Sequence, residues 1–157
     1  MRPEPKVLMA RTRYSGMTTA TIPKLIEWNA KYSVGISSID TQHQKLIGFI
    51  NDLHAAMASG KASSVVEKTL DGLVAYTISH FGYEEGLMRT HRYPELDEHK
   101  AEHVKLVGTV KRLQQDLRDG KIAISLELMR FLKNWLVEHI AGVDKKYTAH
   151  LVAAGLK

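Results

Sequence analysis

After residue 37 the apolar residues of the chain recur three and four positions apart in four long runs, separated only by short polar turns. A repeat of that period lays one buried stripe along an α-helix, so the chain must fold by packing helices face to face. The first run, His43, Leu46, Ile47, Ile50, Leu53 and Met57, predicts a helix over 41–58. Ser37, Ser38 and Asp40 offer side-chain caps before it, and Ser59-Gly60-Lys61 ends it. Val66, Leu70, Leu73, Val74, Thr77, Phe81 and Met88 predict a second helix over 63–90, stopped ahead of Pro94, which disfavours helix at Tyr93. The third, over 95–117, carries His99, His103, Leu106, Val110, Leu113 and Leu117 and closes at Asp119-Gly120-Lys121. The fourth, over 124–141, carries Leu128, Phe131, Leu132, Trp135, Leu136 and His139; Gly142 loosens its end, leaving 147–154 for a last short helix.

Turns this short force neighbouring helices to run antiparallel. The expected fold is therefore all-α, an up-down-up-down antiparallel four-helix bundle with an extended N-terminal arm. No β-branched run alternates with polar residues, and no repeat marks a solenoid. A chain of 157 residues buries enough surface to fold as one domain without disulfides. That domain is expected over 23–157.

The formal charge is +5, but residues 1–22 hold Arg2, Lys6, Arg11 and Arg13 against Glu4, leaving only +2 for the rest. The excess is local, in what reads as a flexible basic extension, so nucleic acid is not expected as a partner. A second reading makes Met17 the natural start. No apolar run reaches the ~18 residues that cross a bilayer, and the start lacks the apolar stretch of a secretory leader. A cytoplasmic location is expected.

The chain has no Cys, which excludes a disulfide framework, a zinc ribbon, a thiolate iron–sulfur site and a cysteine nucleophile. Its eight His remain as the metal-competent residues. His80 and Glu84, like His99 and His103, are four apart and project from one helix face, and those faces are the apolar ones. For a single pair, a solvated or core-satisfied histidine is the simpler reading. Several buried together are another matter, because unpaired ionisable groups cost several kcal/mol each unless hydrogen-bonded, paired or metal-bound. His43 joins them at the start of the first stripe, and His139 with Asp144 at the end of the fourth helix, if the helix loosens between those two. In antiparallel helices all seven fall at one level. His54 is three turns, ~16 Å, further along the axis than His43, and His91 and His150 fall in a connection and the tail, where a solvated reading holds.

This constellation resembles the hemerythrin family, and within it the single-domain bacteriohemerythrins. The resemblance is carried by Asp40-Thr41-Gln42-His43, by His80-Phe81-Gly82-Tyr83-Glu84-Glu85 with Met88, by His99-Lys100-Ala101-Glu102-His103, and by Trp135-Leu136-Val137-Glu138-His139-Ile140 with Asp144 and Tyr147. Trp28 and Gly35-Ile36 are similar to the family's N-terminal arm, and the likeness spans about residues 23–151.

The resemblance implies a non-heme centre of two iron ions joined by an oxo or hydroxo bridge. By it, His99, His103 and His139 ligate one iron, His43 and His80 the other, and Glu84 and Asp144 bridge the pair, while Glu85 is not a ligand. That count leaves one coordination position open, on the iron with two imidazoles, for dioxygen as ligand and also for nitric oxide or other small anions. Imidazole and carboxylate suit both iron oxidation states. Five His to two carboxylates differs from the Glu-dominated ferritin-like sites and points to reversible binding over turnover. Leu46, Phe81, Trp135, Leu136 and Ile140 lie within four residues of a proposed ligand and are candidates to line the pocket. The implied function is reversible dioxygen binding for storage, transport or delivery, without enzymatic activity. The alternatives are a module sensing oxygen, nitric oxide or redox state, a di-iron enzyme, or an iron store.

Overall fold

Each apolar run becomes a helix. The computed structural model describes residues 22–157, so the basic extension expected over 1–22 lies, but for Ile22, outside the described residues. The helices are α1 (Ser37–Ala58), α2 (Ser63–Thr90), α3 (Leu96–Arg118) and α4 (Leu126–Glu138). A π turn (His139–Asp144) joins α4 to α5 (Lys145–Ala153). There is no strand among the described residues. The helices form the expected four-helix bundle, with α1 against α2, α2 against α3 and α1 against α4.

The helix ends follow local chemistry. Gly60 and Gly120 take φ of 66° and 68°, and the N–H of the next residue reaches back across the last turn: Lys61 to Ala56 O at 3.0 Å, Lys121 to Asp116 O at 2.8 Å. This left-handed closure satisfies carbonyls that the helix would leave orphaned. At the end of α2 the same closure uses Arg92, at φ 54°, with Tyr93 N–H donating to Met88 O at 2.8 Å. Ser125 caps α4 by accepting from Leu128 N–H at 3.2 Å.

The start of α1 differs from expectation. The helix begins at Ser37, ahead of residue 41, with Ile36 at its cap and no side-chain capping bond. Asp40, already in the helix, instead ties down the arm: its carboxylate accepts from Val34 N–H at 2.8 Å and from the Ser33 hydroxyl. Further along the arm, Asn51 Oδ1 accepts from the N–H groups of Leu25 and Ile26, and Asn51 Nδ2 donates to Ile26 O. The arm thus lies on α1 and adds Ile26 and Tyr32 to the main core.

That core is built mainly from α1, α2 and α4, around Ile50, Leu53, Leu70, Leu73, Met129 and Leu132, with Val110 from α3. Helix α3 is less covered than its stripe suggests: Leu106, Leu113 and Leu117 are only partly buried. Phe131, expected in the α4 stripe, is 43% exposed. A second cluster, formed by Val34, Ile36, Ile39, Met88, Tyr93, Tyr147 and Leu151, closes one end of the bundle. No helix among the described residues is long and apolar enough to cross a membrane.

Candidate metal centre

Antiparallel packing brings the start of α1, the end of α2, the start of α3 and the π turn to one level. His43, His80, Glu84, His99, His103, His139 and Asp144 are all buried there. Their ligating atoms fall into two overlapping groups, each within 4.8 Å: His99, His103 and His139 with both carboxylates, and His43 and His80 with the same two carboxylates. The structure therefore brings together all seven residues singled out in the sequence, and none of His54, His91 and His150 joins them.

The carboxylates are divided oxygen by oxygen. Glu84 Oε1 lies 3.6 Å from His43 Nε2 and 3.4 Å from His80 Nε2, while Oε2 lies 3.2 Å from His103 Nε2 and 3.9 Å from His99 Nε2. Asp144 Oδ2 lies 3.2 Å from His43 Nε2, and Oδ1 lies 3.3 Å from His99 Nε2 and 3.0 Å from His139 Nε2. Each side chain turns one oxygen toward each group.

The π turn makes the last of these contacts possible. In an α-helix, residues five apart point ~140° away from each other. A π turn, bonded i to i+5, lines them up, so the imidazole of His139 and the carboxylate of Asp144 meet. The loosening expected at Gly142 spans all six residues of the turn. Gly142 itself has no left-handed φ, and a Cβ there would meet nothing within 4 Å.

The donor set fits a pair of cations. The five Nε2 atoms, Glu84 Oε2 and both Asp144 oxygens are buried with no hydrogen-bond partner, although they crowd within contact distance of each other. Without cations the set is satisfied only in part, by protons shared between imidazoles and carboxylates, and each buried polar atom left unpaired costs ~1–3 kcal/mol. Metal ions at the two foci satisfy all of them, and the mixture of imidazole and carboxylate suits iron.

Protons compete with metal for the same atoms. Burial alone would lower the pKa of His43 and His99, but Asp144 and Glu84 beside them prevail and raise both to about 9. At His80 burial prevails over the pull of Glu84, lowering it to about 4. Burial works to raise Glu84 and Asp144, yet the surrounding imidazoles, His80 first for Glu84 and His139 first for Asp144 once Glu84's opposing charge is counted, hold both below the usual carboxylate range. Burial, with Glu84 adding to it, pushes the Tyr147 phenol well up. It stays protonated and donates to Glu84 Oε1 at 2.5 Å.

The sequence did not reveal what holds the imidazoles. Gln42 Oε1 lies 2.8 Å from His80 Nδ1, and Glu85 Oε1 lies 2.9 Å from His103 Nδ1. Gln42, Glu85 and Tyr147 all stand in the motifs quoted above, but nothing in their spacing pairs them with His80, His103 or Glu84. Phe81 stacks on His103, with ring centroids 3.7 Å apart. The other candidate lining residues, Leu46, Trp135, Leu136 and Ile140, all sit in the main core. Trp135 also lines a groove of about 500 Å³ between α3 and α4 that reaches His139 past Leu106 and Phe131. His150 is not simply solvated: its Nε2 bonds the backbone carbonyl of His91 at 2.7 Å, and its ring packs against Tyr93.

Comparison with known proteins places this geometry. Residues 34–151 match the family model described as the hemerythrin HHE cation binding domain. A bacteriohemerythrin of Methylococcus capsulatus is 37% identical, over 78% of this chain and 94% of the relative. A myohemerythrin of Theromyzon tessulatum is 33% identical, over 83% of this chain and 97% of its own length. The crystal structure of a wild-type hemerythrin superposes with a TM-score of 0.76 at 37% identity, covering 81% of this chain and 98% of that one.

Proposed function

The chain belongs to the hemerythrin family, and from that premise we propose that His99, His103 and His139 hold one iron, His43 and His80 hold the other, and Glu84 and Asp144 span both. The function is reversible dioxygen binding at a non-heme di-iron centre. The observation that carries the assignment of ligands is the division of each carboxylate, one oxygen toward the three imidazoles and one toward the two.

When bound, the iron pair supplies a reversibly oxidisable centre for dioxygen. The chain supplies the rest. Tyr147 keeps its proton on Oη and donates to Glu84 Oε1, fixing the carboxylate that both groups of imidazoles share. Gln42 and Glu85 fix the ring orientations of His80 and His103. Phe81, buried against the rings of His80, His103 and His139, and the buried apolar residues near the ligands in the chain, Leu46, Leu136 and Ile140, keep bulk water from the centre.

On this reading residues 23–157 are one oxygen-binding domain, and the chain binds without catalysing a reaction. Nitric oxide and small anions share the position that dioxygen takes. The same reading has the protein work in the cytoplasm, where a reducing environment favours return of oxidised iron to the ferrous state. The test is anaerobic reduction of iron-loaded protein followed by cycles of air and argon, read by visible absorption. An oxygenated spectrum that forms and reverses, with two irons per chain, is expected. Irreversible oxidation, steady consumption of a reductant or stoichiometric zinc would overturn the reading and favour a sensor, an enzyme or another metal.

A further inference from the structure

Two of the five imidazoles facing the centre carry a side-chain partner on the far nitrogen, and the two partners differ in charge. His80 Nδ1 meets the amide oxygen of Gln42 at 2.8 Å, and His103 Nδ1 meets a carboxylate oxygen of Glu85 at 2.9 Å. In both rings Nε2 faces Glu84 across the centre, at 3.4 Å for His80 and 3.2 Å for His103. Both outer partners are oxygens, which accept, so each Nδ1 carries a proton and donates it outward, leaving the Nε2 lone pair for a metal. The contacts are of the same kind and length; what differs is one negative charge.

From this asymmetry we infer that Glu85 tunes the two irons apart, stabilising the ferric state of the iron held by His99, His103 and His139 relative to its neighbour. The inference rests on the ligand assignment proposed above. A carboxylate accepting from Nδ1–H pushes electron density through the ring onto Nε2 and makes it a stronger donor, an effect that a neutral amide supplies far less. Ferric iron gains more from a stronger donor than ferrous iron does, so the potential at that site falls. The His103 ring is held for this by its near-parallel stacking on Phe81, at an interplanar angle of 4°. Glu85 is a positioning residue: it touches the imidazole and not the metal, and only a fifth of its side chain is exposed, so solvent screens its charge incompletely.

Glu85→Gln keeps an oxygen that accepts from Nδ1–H and removes the charge. The reciprocal change, Gln42→Glu, adds the charge on the other side. Iron content and the two one-electron potentials are measured by mediated spectroelectrochemistry under argon. Glu85→Gln is expected to retain two irons and raise one potential by about 59 mV, corresponding to a tenfold change in ferric preference, and to leave the other nearly fixed. Gln42→Glu is expected to lower the other potential and narrow the gap. If Glu85→Gln binds two irons with both potentials unmoved, the contact only orients the ring and the inference fails, whereas the ligand assignment stands. His103→Ala separates the two: retention of both irons in that variant would overturn the assignment and the inference together, and loss of iron supports the assignment on which the inference depends.

Discussion

His139 Nε2 stands 3.0 Å from Asp144 Oδ1, five residues further along the chain, because a π turn replaces the α-helix between them. The meeting is a matter of phase. Deleting Ala141, an exposed residue of the turn, shortens the segment by one residue and lets it relax to an α-helix. That would leave His139 and Asp144 four apart, within ~40° of each other about the axis, the spacing at which His80 and Glu84 already meet. The deletion is expected to keep both irons while far-UV circular dichroism remains helical, and loss of iron would show that the π turn sets more than the meeting of these two side chains. Gly142→Ala is its control. The position is exposed, open and without a left-handed φ, so iron content should be unchanged and stability should rise by ~0.5–1 kcal/mol. If Gly142→Ala lost the metal, the turn would depend on glycine after all.

Adjacent glutamates should behave differently. Glu84 is fully buried and offers an oxygen to each group of imidazoles, whereas Glu85 reaches only the outer nitrogen of His103. Glu84→Ala should therefore abolish the paired centre. Glu85→Ala should keep two irons and weaken their retention by ~10- to 100-fold, the usual range for removal of an orienting partner. Metal analysis after dialysis against graded chelator measures both, and equal losses would contradict the ligand assignment.

How much of this was legible in the sequence can be judged residue by residue. The helical period placed His43, His80, Glu84, His99 and His103 on inward faces, and antiparallel packing put them level, because both properties depend only on spacing. The need for a loosened helix is legible, since His139 and Asp144 cannot meet on an α-helix, but nothing in the spacing gives the six-residue π turn that the structure adopts. Lateral pairings were out of reach. Whether Gln42 meets His80, or Glu85 meets His103, depends on how α1, α2 and α3 sit against each other, which no periodicity encodes. The same holds for Phe131, whose position on the stripe is apolar yet faces the thinly covered side of the bundle between α3 and α4.

Tyr147 links the centre to the small apolar cluster that closes the bundle. Its ring packs among Val34, Ile36, Ile39, Met88, Tyr93 and Leu151, and its hydroxyl donates to Glu84. Tyr147→Phe keeps the packing and removes the donor. A hydrogen bond to a charged buried partner contributes ~1.5–3 kcal/mol, and a loss of that size is expected in urea unfolding of the iron-loaded protein. A cost below ~0.5 kcal/mol would mean that the bond contributes only geometry.

The metal-free protein should show a stability maximum near pH 6.5, and the metal should remove its alkaline limb. His43 and His99 are raised from 6.5 to about 9 in the folded state by Asp144 and Glu84, which outweigh burial. A raised folded value contributes stability that is complete below 6.5 and lost as pH climbs through 9. His80 runs the other way: burial lowers it from 6.5 to about 4, so the unfolded chain takes up the proton first, and stability falls as pH drops through that window. Glu84 and Asp144, held below the usual range by the imidazoles, add to the acid limb as they are forced to protonate. Iron occupies the Nε2 atoms that otherwise bind protons at His43 and His99, so anaerobically loaded ferrous protein should be flat between pH 6.5 and 9 and should have released protons on loading at neutral pH. Thermal midpoints from pH 4.5 to 9.5, with chelator and with ferrous iron, measure both curves. A metal-free curve that stays level from 6.5 to 9 would show that the carboxylates do not hold protons on the two imidazoles.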